Sequence, residues 1–166
     1  MTLAADLLKQ AERLAKLEPK RPKQASLRRS ISSAYYSLFH LLIEDGAKII
    51  TTDSSLRPHI ARVYQHGEIK KVCDAVSAPL TPTGHWLSKF FDFPIDPDLI
   101  SVCQTFSDLQ ELRHSADYDL SRAFKKSESV GIVSRALAAH QDWKKVRNTK
   151  NGKLLLLASA KILVNR

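Results

Sequence analysis

Apolar positions along this chain recur every three or four residues and hardly anywhere every two, so helices are the expected elements. The longest such stretch, residues 26–43 (SLRRSISSAYYSLFHLLI), carries two stripes. Ile31, Ala34, Leu38, Leu41 and Leu42 form an apolar stripe, and Arg29, Ser33, Tyr36 and His40 form a second at i, i+4, i+7 and i+11. One face packs; the other is either an ordinary solvated face with half-buried rings or a surface for binding or chemistry. Ser26 is placed to cap this helix, which is expected to run through Gly46 to residue 50.

The same spacing predicts the other elements. Leu3, Leu7, Leu14 and Leu17 mark a helix over 2–17 capped by Thr2 and stopped by Pro19, followed by the basic linker EPKRPKQ at 18–24. After a polar turn at 51–56, residues 57–78 read as one or two helices with a break at His66-Gly67. Pro79, Pro82, Pro94, Pro97 and Gly84 forbid a long helix over 79–97, so a loop with a short helix at 86–91 is expected to lid the bundle. That lid would bury Trp86, Phe90, Phe91 and Phe93, with stacking on bases as the functional alternative. Asp98 is the expected cap of a helix to residue 123, and Ser127 starts another to 148. Asn151-Gly152 reads as a turn before a closing apolar helix, KLLLLASAKILV. The predicted architecture is all-α: a single domain over 1–166 built as an antiparallel bundle of five to six helices with a Pro/aromatic-rich insertion.

Composition narrows the function classes. A chain of 166 residues, 43% hydrophobic and 26% charged, is expected to be globular with one core. Its apolar runs are too short for a bilayer span and its first residues lack the apolar centre of a secretion signal, so a soluble cytoplasmic protein is expected. Cys73 and Cys103 stand thirty residues apart without a Cys/His cluster, which predicts two buried thiols, no metal site and no cofactor. The net charge of +9 divides into +5 over residues 1–30, −5 over 31–120 and +9 over 121–166. If the terminal helices are neighbours, the two basic ends merge into one surface suited to phosphate backbones or to an acidic protein. No Gly-rich phosphate loop, nucleophile elbow or HExxH is present, which leaves kinase, hydrolase and protease readings without support.

A second segment, residues 109–120 (LQELRHSADYDL), repeats the double character of the first: Leu109, Leu112, Ala116 and Leu120 keep helical spacing, while Arg113 and Asp117, and His114 and Tyr118, stand one turn apart. Together, AYYSLFH at 34–40 after the basic LRRS at 27–30, and RHSADYD at 113–119, resemble the HEPN family of all-helical nucleotide-binding domains, in particular its small prokaryotic members. The resemblance implies an RNA- or nucleotide-binding protein, a homodimer, and a nucleotidyltransferase-type antitoxin as partner. It places Arg28, Arg29, Ser33, Tyr36, Asp117 and Tyr118 at the binding surface, and Arg113, His114 and His40 as candidates for catalysis.

Metal-free RNA cleavage needs a base for the 2′-hydroxyl, an acid for the leaving oxygen and a cation for the phosphorane, a set that His and Arg can supply. The catalytic members of the family carry a His after four to six residues from the Arg; after Arg113 those positions hold Tyr118, Asp119 and Leu120. Arg135 and His140 have the spacing, on another helix and at a frequency chance explains. The alternative is therefore a binding or assembly module without catalysis, in which Asp117 bonds Arg113 or the Tyr36 hydroxyl and fixes the angle between two long helices.

Overall fold

The computed structural model describes residues 2–78 and 84–163. Its elements are α1 (Leu3–Lys16), α2 (Gln24–Ile50), α3 (Arg57–Ala61), α4 (His66–Ser77), a 3-10 turn (Trp86–Lys89), α5 (Pro97–Tyr118), α6 (Lys126–Val146) and α7 (Lys150–Ser159). Among the described residues there are no strands, and seven α-helices stand where five to six were expected, the stretch 57–78 forming two of them and the closing helix standing apart as expected.

Helix α2 is the centre, packed by α1, α5, α6, α3 and α7. A helix so surrounded must be apolar or small nearly all round. Leu27, Ile31, Ala34, Tyr35, Leu38 and Leu42 are fully buried, and five buried serines let its neighbours come close. Ser30 Oγ donates to the Ala11 carbonyl on α1, and Ser37 Oγ shares a 3.1 Å hydrogen bond with His140 Nε2 on α6. Pairings fix the directions: Ser32 meets Asp117 and Tyr36 meets Arg113, so α5 runs antiparallel to α2, while Ser37–His140 and Asp45–Trp143 make α6 parallel to it. Leu99, Val102, Phe106 and Leu109 of α5 and Ile132, Val133, Ala136 and Trp143 of α6 complete the core.

Several boundaries depart from the sequence reading for local reasons. Helix α2 begins at Gln24 and not at a Ser26 cap: Ser26 Oγ donates to Glu18, while the Gln24 amide exchanges two hydrogen bonds with the Phe124 backbone (2.8 and 2.9 Å). Asp96, with Pro97 in the first turn, caps α5 in place of Asp98, and α5 stops at Tyr118, five residues early. His66 opens α4 where a break was expected. Asn151-Gly152 is not a turn but the first turn of α7, capped by Thr149. Gly152 is needed there because a Cβ would lie 2.2 Å from the Val146 carbonyl oxygen. In the insertion, Leu87 and Phe91 enter the core, Trp86 and Phe90 are half-buried and Phe93 is exposed, while Pro79 and Pro82 lie outside the described residues. Cys73 and Cys103 are buried free thiols between α4 and α5. Among the described residues, no helix is long and apolar enough to cross a membrane.

His140 shows what burial does to an imidazole. Packed between α2 and α6 with Ser37, it is pushed down to about 4, first by burial and then by the Lys144 charge. Burial also lowers His40 and His66. Unfolded histidines titrate near 6.5, so between that value and about 4 the unfolded chain binds more protons than the folded one. Stability should therefore be full above about pH 6.5 and fall as pH drops toward 4, by at most about 1.4 kcal/mol per pH unit for each such histidine. Urea midpoints measured from pH 7 to pH 4 check this; a slope left unchanged in His140→Gln would remove His140 as its source.

Candidate functional site

The facing turns of α2 and α5 build one polar cluster. Arg113, on α5, donates through Nη2 to the Tyr36 hydroxyl at 2.6 Å. Its Nε lies 3.0 Å from Asp117 Oδ2, close enough for an ion pair but off the N–H axis, so that N–H has no hydrogen-bond acceptor. The other Asp117 oxygen accepts from Ser32 Oγ on α2. Three tyrosine rings surround the guanidinium, its carbon lying 5.9 Å from the centroid of Tyr35, 5.3 Å from Tyr36 and 5.8 Å from Tyr118. A planar, weakly hydrated cation suits such a cage better than an ammonium.

Next to it stands His66, at the N-terminus of α4. Its ring stacks on Phe39 at 3.9 Å and its Nδ1 lies 2.5 Å from the Tyr35 hydroxyl. Tyr35 is fully buried, and burial pushes its phenol up, so it keeps its proton and has Nδ1 as its one acceptor. That bond leaves the proton of a neutral His66 on Nε2, which is then a donor and not a base. Burial first, then the charges of Arg113 and His40, lower His66. His40, half-buried on α2, completes the group. The first turn of α4 adds an unspent feature: Gln65, at the N-cap, makes no side-chain capping bond.

Of the residues expected at a site, Tyr36, Arg113 and Asp117 come together, with Tyr118 at their edge and His40 behind. Ser33 is buried against α1, its hydroxyl donating to Gln10, so the α2 stripe divides and Ser32 takes the place facing α5. Arg28 is committed elsewhere, donating to the carbonyls of Ala116, Asp119 and Arg122. Arg29 is exposed one residue on. His114 is also exposed, its ring 5.1 Å from that of Tyr118. Arg135 and His140 are not neighbours in function: Arg135 pairs with Asp108 at the surface, and His140 is buried on Ser37. His66 and Ser32 carried no signal at motif spacing, since each joins Arg113 only through helix packing.

Compared with protein-family models, with curated proteins and with solved structures, the chain matches none. Among the described residues no three His, Cys, Asp or Glu side chains gather as metal ligands. A cavity of about 670 Å3 opens between α4, α7 and the Trp86 turn and shares no residue with the Arg113 cluster. Its rim charges are spent on each other, Glu68 with Lys71 and Lys161. The Arg113 cluster is thus an open surface of cation, imidazoles and aromatic rings, the chemistry that suits a phosphate and its base rather than an enclosed small molecule.

Proposed function

We propose that this chain is a HEPN-like module that binds single-stranded RNA or a nucleotide through the Arg113, His66 and His40 cluster. The observation that carries the reading is His66, held through Nδ1 on the Tyr35 hydroxyl beside a guanidinium caged in tyrosine rings, an arrangement that leaves Nε2–H to donate. Donors and rings together recognise a phosphate with an unstacked base. Asp117 competes for Arg113, so an arriving phosphate has to displace or share that carboxylate, which tunes affinity down and exchange up. Binding without cleavage follows from the same chemistry: cleavage needs one imidazole protonated and one not, and burial holds both His66 and His40 toward the neutral form.

The ribonuclease reading stands second, favoured by His66, which supplies beside Arg113 the imidazole that the motif spacing lacks. A second copy of the chain and a nucleotidyltransferase-type partner belong to the proposal on the resemblance alone.

The test is fluorescence anisotropy with labelled single-stranded RNA, ATP and ADP in EDTA, at low and at physiological salt, with intact RNA checked on a gel. Binding that weakens as salt rises, with no cleavage, is the expected result. Failure to bind any of the three rejects the proposal, and cleavage that His66→Ala abolishes moves the assignment to the ribonuclease.

A further inference from the structure

Two basic segments, one from each half of the chain, meet at one place. The linker before α2 and the start of α6 lie side by side, held by the Gln24 amide on the Phe124 backbone and by Lys126 Nζ, which donates to the Pro19 carbonyl. This brings Lys20, Arg21 and Lys23 next to Lys125 and Lys126 on a shelf whose first three cations and Lys125 are exposed. Several cations elsewhere are paired: Lys70 with Asp74 and Glu111, Lys71 with Glu68, Lys145 with Asp98 and Asp142. On the shelf no lysine or arginine side chain is in an ion pair, and the nearby carboxylates are engaged: Glu18 accepts from Ser26 Oγ and the Lys23 N–H, and Glu128 pairs with Arg122. A dense group of unpaired cations raises the local concentration of polyanions and costs folding energy through self-repulsion, so it fits a partner that supplies the charge.

Arg29 connects this shelf with the Arg113 cluster. It precedes Tyr36 by seven residues on the same face of α2, which is about 10 Å along the helix axis. It is exposed and in no ion pair. We propose that the phosphate backbone of one RNA strand runs from the Arg113 cluster along α2, past Arg29, onto the shelf formed by Lys20, Arg21, Lys23, Lys125 and Lys126. This rests on the RNA reading above and adds the path and the length of strand: a mononucleotide fills the cluster, and only a strand of several nucleotides reaches the shelf.

The experiment compares AMP with an RNA of about twelve nucleotides, within the span that single-strand binders cover, on the full chain and on the triple variant Lys20→Gln, Arg21→Gln, Lys23→Gln. Each phosphate contact adds about 0.7 to the slope of log affinity against log salt, so losing three should flatten it by about 2. The expected result is a tenfold or larger loss for the longer RNA at low salt with AMP unchanged, and no comparable loss in Lys70→Gln, Lys71→Gln. Equal loss in that control makes the effect one of net charge and overturns the path. An unchanged slope in the triple variant, while the parent chain binds the longer RNA, also overturns it and leaves the cluster assignment standing. Polyglutamate binding as tightly as RNA and lost in the same variant reassigns the shelf to an acidic protein. If the parent chain binds neither RNA nor AMP, the reading of the cluster falls, and the path with it.

Discussion

Arg28→Ala should lower the melting temperature by roughly 6–12 °C, the shift that about 3 kcal/mol produces in a chain of this size. The reason lies at the end of α5. Its last carbonyls have no partner within the helix, and no glycine follows Tyr118 to turn the chain back and satisfy them. Arg28 does this from α2: its guanidinium donates to the carbonyls of Ala116 at 2.8 Å and Asp119 at 2.9 Å, and to that of Arg122, with the Phe124 ring 5.6 Å away. Charged hydrogen bonds contribute about 1.5–3 kcal/mol each and do not add in full, and the cation also meets the negative end of the α5 dipole. Arg29→Ala, one position on and exposed, should stay within about 0.5 kcal/mol of the parent chain. Thermal melts of the two variants decide it. A melt of Arg28→Ala that coincides with that of Arg29→Ala would show that the carbonyls find water instead.

The second large effect concerns binding. Arg113→Ala should weaken RNA affinity at least tenfold, about 1.4 kcal/mol, and Arg113→Lys should recover little of it. A lysine keeps the charge but cannot lie flat among the rings of Tyr35, Tyr36 and Tyr118 while bonding Tyr36. A pH profile separates this from a loss of folding. Burial lowers both His66 and His40 below the ordinary value near 6.5, so they gain charge only below it; the affinity of the parent chain should be flat from pH 8 to about 6.5 and rise as pH falls further toward 5, and the rise should disappear in His66→Ala, His40→Ala. An Arg113→Ala protein that melts like the parent and binds RNA as well would place the site elsewhere.

Much of this was legible along the chain, and what was not has a common cause. The apolar repeats around Ile31, Leu38 and Leu42 marked the central helix because a buried helix must repeat at that period, and Arg113 with Asp117 was visible because one turn of helix brings them together. The starts and stops were less legible wherever a distant residue serves the end. Gln24 replaces Ser26 because its amide reaches residue 124, and Asn151-Gly152 joins a helix because Thr149 caps it and Val146 presses on Gly152. The site divides in the same way. Tyr36 was readable from its stripe, whereas His66 reaches Tyr35 across 31 positions and Ser32 reaches Asp117 across 85. Arg28 looked like a ligand for phosphate because a basic LRRS has the same composition whether its arginine faces solvent or caps a helix.

The Asn151 side chain holds the Asp92 backbone from both sides, Nδ2 donating to its carbonyl at 2.8 Å and Oδ1 accepting its N–H at 2.9 Å, while Lys150 pairs with the Asp92 carboxylate. The final helix and the Trp86 turn are therefore one cooperative unit, which opens together or stays shut. Fraying or proteolytic nicking ahead of Thr149 would release both, uncovering Leu87 and Phe91 as apolar surface prone to self-association.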